Sequence, residues 1–484
     1  MMPEVQSVAS IVSLVLIAGL VAYHGTNLVM IGLAVSEIHR QRRVPPGERA
    51  AMARDSGLLP RVSVVIPAFN EDLTIVRTVS SVLALDYPEF EVIVVNDGST
   101  DRTLGALWDA FALLPSNDRP TREIPSQRVR GVFVSQKDPR LKVIDKRNGG
   151  KADALNAGIC LADHALVLML DADVVLDPNA LVHLAIPFVE DPLTIATSGM
   201  IRPQNGCTVE AGRLVSTGLP TSWLEGFQVL EYLRAYAIGR LCFNRVNAHL
   251  IISGAFGLFD RQRLQEIGGY QTHAIGEDME VVVRLHRHLR DQRVPYRITF
   301  SVDALCLTEA PHSLTEFGKQ RTRWHQGLLT TLRVHGDMAF RLRYGTIGCV
   351  AFPYFLLELY APILEGLGWI VVAALWGSGV LSGERAALFA ATSVVMSGFV
   401  SMAAIAVETT AFGFLTRLTD RMRIVLLALL EPFGYRQATV YYRVRAFVLY
   451  YRTIQLRTGW TPPVRQGVPG PAPASGSPPA REGE

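Results

Sequence analysis

The chain has 484 residues, 49% of them hydrophobic and 19% charged, with a formal net charge of +3. Single domains seldom grow past roughly 250 to 300 residues, so a full catalytic domain and additional apolar material are both expected. So small a net charge, with no Lys/Arg run interleaved with aromatics on a groove-reading helix, excludes nucleic acid as a partner.

In chain order, the first element is apolar. Ala9 to Val35 carries one charged or imidazole side chain, His24, and exceeds the ~20 residues that a helix needs to cross a bilayer. It is too long for a signal-peptide core and is read as a retained membrane helix. Arg40, Arg42, Arg43, Arg49 and Arg54 follow, which by the positive-inside rule places what comes next in the cytoplasm.

From about Leu58 to Leu329, short Val/Ile-rich runs alternate with helical stretches, the pattern of a mostly parallel sheet with crossover helices. The strands are "RVSVVIPAF", "FEVIVVND", "LKVID" and "ALVLMLDAD", each ending in a polar turn, where open α/β sheets place ligands. The first two turns bring Pro67, Asn70, Glu71 and Asp97 to one edge, although "NDGST" alone also reads as a turn before a helix N-cap. Next, "DKRNGGKADALNAG" places Gly149 and Gly150 for close backbone approach and Lys151 at a helix start, suited to an anionic group. It matches neither the Walker nor the dinucleotide fingerprint.

In "LMLDADVVLDP", strand periodicity points Asp171 and Asp173 to one face. Two such carboxylates raise one pKa sharply unless a cation neutralises them. An isolated D-x-D also reads as a solvated loop, but after an apolar strand and Lys151 the hard oxygens suit Mg2+ or Mn2+, with substrate phosphates as further ligands. Further on, "AIGEDME" sets Glu277 and Asp278 ahead of a helix, where acids also favour the helix dipole. In "KQRTRWHQG", Gln320 and Arg323 share a helical face and Trp324 offers a ring for stacking; an amphipathic helix lying on the membrane is compatible with this.

Gly345 to Val380 and Ala386 to Thr416 are further membrane spans. Ile424 to Tyr451, interrupted by Glu431, Pro432 and Gly434, reads as an interfacial or re-entrant helix as readily as a crossing. Glu358 and Glu365 lie two turns apart on one helical face, continued by Trp369, with Glu408 in the next span. Either they line a sugar-conducting path, or they sit near the interface or pair with arginines such as Arg343. The five cysteines, Cys160, Cys207, Cys242, Cys306 and Cys349, have no metal-ligand or redox spacing and read as unpaired thiols. The chain thus divides into a transmembrane helix (1–38), a basic cytoplasmic linker (39–57), an α/β domain (58–330), transmembrane and interfacial helices (331–460) and a Pro/Gly/Ser-rich disordered tail (461–484).

Taken together, "IPAFNED", "VNDGSTD", "NGGKADALN", "LDADV", "GAFG", "GEDME" and "QRTRW" resemble the membrane-embedded family 2 glycosyltransferases: cellulose, hyaluronan, chitin and poly-N-acetylglucosamine synthases. The resemblance implies a GT-A fold, Rossmann-like with a mostly parallel sheet, and inversion at the anomeric carbon. It implies that Asp97 reads the nucleobase with the Pro67 to Glu71 loop and that Lys151 contacts the diphosphate. Asp171 would face the nucleotide-sugar, Asp173 the metal, and Asp278 would be the general base. Gln320 and Arg323 would steady the diphosphate, with Trp324 beneath the acceptor sugar. The implied partners are a nucleotide-sugar donor, UDP-linked, a polysaccharide or lipid acceptor, membrane lipid and an accessory export subunit. The implied setting is a bacterial inner membrane, crossed several times, with the catalytic domain cytoplasmic. Single transfer to a ceramide- or polyprenyl-type lipid is the alternative, since ceramide glucosyltransferases share a Q/R-x-x-R-W element. The segment Pro115 to Arg140 is longer than usual for the family, and "GED" replaces its commoner "TED".

Overall fold

The computed structural model describes residues 2–210 and 213–453, so the tail expected at 461–484 lies outside the described residues. Helix α1, Met2–Gln41, runs for 40 residues. At 1.5 Å per residue it is about 60 Å long, twice the hydrocarbon thickness, so its polar end has length to spare. That end is tied to the following domain. Glu37, fully buried, accepts from Arg40, Gln41 and Asn244. Gln41 bonds the backbone of Phe300 and Val302, and Arg42 pairs with Asp303 at 3.0 Å.

The stretch read as a basic linker contains a helix, α2, Pro46–Asp55, with Pro46 at its first turn, where a fixed φ is pre-organised. Arg49 pairs with Glu190 at 2.7 Å and Arg54 with Asp86 at 2.9 Å. These arginines therefore dock the segment onto the domain, whatever they contribute to membrane topology.

The domain then runs β1 Val62–Ala68, α3 Ile75–Leu83, β2 Phe90–Asn96, α4 Thr103–Phe111, β3 Leu113–Ser116, β4 Val129–Ser135 and β5 Leu141–Lys146. It continues α5 Lys151–Leu161, β6 Leu166–Leu170, β7 Val175–Leu176, α6 Ala180–Glu190, β8 Thr194–Pro203, β9 Thr208–Glu210 and β10 Arg213–Ser216. Next come α7 Trp223–Arg234, a π-helical stretch Ala235–Arg240, α8 Leu241–Arg245, β11 Phe256–Asp260, α9 Arg261–Glu266, α10 Glu277–Asp291, β12 Arg297–Thr308 and α11 Leu314–Val334. Ten strands form one sheet in the order β3-β4-β5-β2-β1-β6-β11-β8-β12-β7. Following the pairings, seven of the ten point the same way, with β4, β11 and β7 reversed.

The strands at the centre are unbroken apolar runs because helices cover both faces. One layer takes in α3, α4 and α6, the other α5, α9 and α10. Parallel register aligns the carboxyl ends of β1 and β2, Ala68 opposite Asn96, and of β2 and β5, Asn96 opposite Asp145. Since β1 has β2 on one side and β6 on the other, the connections diverge there, and a crevice opens at that edge. The long Pro115 to Arg140 segment supplies the end of the edge strand β3, its neighbour β4 and a loop packed on α5, with Ile124 buried and Thr121 bonded to the Cys160 carbonyl.

The remaining helices are α12 Phe352–Gly377, α13 Gly383–Val407, α14 Leu418–Leu430 and α15 Tyr435–Thr453. Among the described residues three helical runs, Gln6–Gln41, Ile347–Gly377 and Gly383–Phe412, are long and apolar enough to cross a membrane by length and composition. The Ile424 to Tyr451 segment is two helices, broken around Pro432 and Gly434, the latter at φ 136°.

The fit of α5 against β1 depends on Gly158, where a Cβ would stand 2.3 Å from Val65 Cγ1. Overpacking of this kind costs about 1 to 3 kcal/mol. Gly158→Ala is therefore expected to lower the thermal midpoint by several degrees in detergent, and an unchanged midpoint would show that the layer yields freely.

Candidate active site

The end of β1 and the turn after it hold three of the sequence candidates in different roles. Pro67 and Glu71 face the crevice. Asn70 does not line it: held at φ 57°, its side-chain oxygen accepts from the Thr100 amide at 2.8 Å and staples the two loops together. Asp97 lies at the crevice floor, but its carboxylate already accepts from Gly149 N at 3.0 Å, from Gly150 N at 2.7 Å and from the Lys146 ammonium. The two glycine amides therefore serve an acid of the chain itself, because the free N–H groups ahead of α5 need an acceptor. Lys146, fully buried between Asp97 and Asp153, was not singled out in the sequence. Its signal was a lysine ending an otherwise buried strand.

Asp171 and Asp173 fall on the turn after β6, which pairs no further than Leu170. Strand alternation therefore does not orient them; both reach the crevice from the turn. Lys151, the first residue of α5, meets Asp171 at 2.5 Å and Glu277 at 3.9 Å. Burial works against its charge, but Asp171, Glu277 and Asp278 outweigh burial and hold it above the usual lysine range. Glu277 and Asp278 open α10, as expected. Burial, reinforced by Asp278, pushes Glu277 above the usual carboxylate range, while Lys151 and Arg323 pull the other way. Asp278 accepts from Met279 N at 2.8 Å and from Gly254 N at 3.4 Å.

Helix α11 closes the far side, presenting Gln320, Arg323 and Trp324 to the same cavity. Among the described residues the buried side-chain oxygen of Gln320, Oε1, has no hydrogen-bond partner. Trp324 is 41% exposed. The helix comes so near α10 because two glycines touch: a Cβ on Gly327 would be 2.9 Å from Gly276 Cα.

Pro67, Glu71, Asp97, Lys151, Asp171, Asp173, Glu277, Asp278, Gln320, Arg323 and Trp324 line one cavity of about 480 Å3, whereas Asn70, Lys146, Gly149 and Gly150 do not. It continues past Trp324 to Arg240, Phe355, Glu358 and Arg443, the last three from α12 and α15. Of the membrane glutamates, Glu358 alone lines it. Glu365 is taken up by Arg436 at 2.8 Å and by the Ser393 hydroxyl, which also accepts from Trp369 Nε1 at 3.3 Å. Glu408 pairs with buried Arg202, and Arg343 with Asp291. The expected stripe of Glu358, Glu365 and Trp369 is therefore interrupted, because α15 supplies Glu365 with its own arginine.

Among the described residues no group of three or more His, Cys, Asp or Glu side chains is arranged to enclose a metal. The donor set at the crevice is Asp171 and Asp173. That fits a hard divalent ion that takes its other ligands from phosphate and water, and does not fit a closed zinc centre. The cysteines are unpaired.

The chain matches the family model for glycosyl transferase family 2 over residues 63–249. It matches that for glycosyl transferase family group 2 over residues 166–415, just over half of its length. The chain belongs to glycosyl transferase family group 2. Over 267 residues it is 32% identical to a poly-beta-1,6-N-acetyl-D-glucosamine synthase of Staphylococcus epidermidis, covering 55% of this chain and 54% of that one. The Staphylococcus aureus (strain COL) protein of the same name is 29% identical over 318 residues, covering 66% and 64%. The chain spans about half to two thirds of the length of the curated relatives it matches. In fold it resembles a mannosyltransferase from Pyrobaculum calidifontis solved with GDP-Man and Mn2+, at TM-score 0.50 and 18% identity, covering 90% of this chain and 99% of that one. The expected GT-A architecture, with apolar helices at both ends, is thus the architecture found.

For this glycosyltransferase, widening the Gly276–Gly327 contact moves Asp278 away from Arg323 and Trp324. A displacement of about 1 Å at a reacting centre costs up to roughly a hundredfold in rate. Gly327→Ala is expected to lose sugar transfer on that scale while detergent-extracted yield and helical content stay at the parent level. Transfer at the parental rate would show that the close approach is dispensable.

Proposed function

We propose that this glycosyltransferase moves a sugar, N-acetylglucosamine, from a UDP-linked donor onto a growing polysaccharide with inversion, and passes the polymer into its own membrane helices. One observation carries the proposal: a single cavity collects Lys151, Asp171, Asp173, Asp278, Arg323 and Trp324 and then runs on to Glu358 and Arg443. The names of the staphylococcal relatives support the choice of sugar.

A sugar hydroxyl is a poor nucleophile, so a positioned base is needed. Asp278 takes that proton, its carboxylate already oriented by the Met279 and Gly254 amides. Lys151 and Arg323 face the departing diphosphate and Gln320 offers its amide to it, while Asp97, Pro67 and Glu71 border the base-binding end. Asp173, with Asp171 beside it, would hold a Mg2+ or Mn2+ ion, which when bound offsets the charge developing on the diphosphate. Trp324 lies beneath the acceptor ring. A single displacement suffices, and no covalent nucleophile is required.

The walls beyond Trp324 favour a polysaccharide over a lipid acceptor. Arg240, Glu358 and Arg443 would leave charges unsolvated against an acyl chain, whereas sugar hydroxyls bond to them. The three apolar helices support a multi-pass membrane protein, with the sheet domain on the cytoplasmic side of a bacterial inner membrane. An accessory subunit for export is compatible with this arrangement.

The proposal is tested by incubating the purified protein in detergent with a panel of nucleotide sugars and Mn2+ and sizing the product. A polymer made from UDP-N-acetylglucosamine is expected; one sugar on an extractable lipid would favour the alternative. Asp278→Asn should lower transfer by roughly 10² to 10⁴ while UDP still binds; wild-type turnover would pass the role to another acid such as Glu277. Glu358→Leu should shorten the polymer with donor hydrolysis largely preserved, and an unchanged length distribution would remove Glu358 from the acceptor path.

A further inference from the structure

Trp324 does not stand alone on α11. Phe317, Arg321 and Trp324 are spaced four and three residues apart, so they stack along one side of the helix. The Arg321 guanidinium carbon lies 4.8 Å from the Phe317 ring centroid and 4.2 Å from that of Trp324. It is a flat cation between two rings, and Arg321 is only 2% exposed. Its charge is met by Glu231 on α7, with Nη2 3.0 Å from Oε2 but off the hydrogen-bonding direction. That same carboxylate oxygen accepts from the Tyr435 hydroxyl at 2.5 Å, and Tyr435 stacks on Phe227 at 5.0 Å. Three helices, α7, α11 and α15, therefore converge on the ring beside the cavity.

Burying a guanidinium costs several kcal/mol unless it is paired, and an apolar side chain of similar volume would fill the same space at less cost. What an apolar residue would not do is stack flat against an indole and draw it to a fixed plane. We propose that Arg321 is a positioning residue: clamped by Phe317 and tethered by Glu231, it fixes the plane of Trp324 on which the acceptor sugar rests. This rests on the reading of Trp324 as the acceptor platform. Arg321 and Glu231 also border the cavity, but the guanidinium is nearly fully covered, so Arg321 acts on the acceptor through the ring and leaves the donor end untouched.

The test uses the full-length protein in detergent, UDP-N-acetylglucosamine as donor and a β-1,6-linked N-acetylglucosamine pentasaccharide as acceptor probe. Arg321→Met and Arg321→Lys are each expected to raise the acceptor KM about tenfold, lysine failing to rescue because an ammonium does not stack as a planar fork. Acceptor-free donor hydrolysis and donor KM should stay at parental values. Glu231→Gln, which keeps Arg321 but frees it, should shift acceptor KM the same way and decides the matter if the Arg321 variants do not survive purification. In a Trp324→Ala background, Arg321→Met should add nothing further. An unchanged acceptor KM, a penalty that persists undiminished without the indole, or an equal loss of donor hydrolysis would each overturn the proposal. A parent enzyme indifferent to added acceptor would overturn the reading of Trp324 as well, whereas unchanged variants of an acceptor-dependent parent would remove only the role of Arg321.

Discussion

Around Lys151, acids outnumber bases. The ammonium meets Asp171 at 2.5 Å and Glu277 at 3.9 Å, feels Asp278, and shares its cavity with Asp173. The site proposed to take a nucleoside diphosphate is thus negative before its ligand arrives. Like charges this close either bind protons or attract a cation. Burial and Asp278 push Glu277 toward the first, above the usual carboxylate range. Asp171 and Asp173, on a turn open to the crevice, are placed for the second. The rest of the sheet domain serves this crowding: parallel strands align their carboxyl ends, and α5 and α10 begin there, so that backbone amides and one lysine temper the acids.

The apolar helices are joined to the sheet domain by two charge pairs and a hydrogen bond to a carboxylate rather than by apolar packing alone. Arg202 of β8 reaches Glu408 at the end of α13, Arg234 of α7 reaches Glu431 ahead of α15, and α1 ends on Glu37, which is bonded to Asn244. Two of these contacts end on the long apolar runs Gln6–Gln41 and Gly383–Phe412, and the third ends at the junction of α14 and α15. Such contacts are directional, so they fix the orientation of the helices relative to the sheet. Helix α15 matters most, since it packs on α11 through Tyr442 against Gly318 and supplies Arg443 to the cavity.

Most of the crevice was legible because its residues sit where short apolar runs end. Pro67, Glu71, Asp97, Lys151, Asp171, Asp173 and Asp278 each follow a readable strand or open a readable helix, and the structure brings all of them together. What failed was inference from periodicity beyond an element's true end: Asp171 and Asp173 converge through a turn, and Asn70 joins two loops. The long-range partners were equally invisible. Nothing local in the sequence says that Glu365 belongs to Arg436, that Glu408 belongs to Arg202, or that Lys146 sits beneath Asp97. Arg321 was readable in principle from its spacing to Phe317 and Trp324, but its counter-charge, Glu231, is brought to it from a distant helix.

The negative crevice makes one demand that is independent of the sugar, the acceptor and the membrane: an anionic nucleotide should not enter without a cation. Calorimetric titration of UDP into the detergent-solubilised protein, first with Mn2+ and then with excess chelator, tests this most directly. The predicted result is binding with Mn2+ and at least a hundredfold weaker binding in chelator, about 2.7 kcal/mol. Equal affinity under both conditions would contradict it, and would mean that Lys151 and Arg323 alone balance the diphosphate.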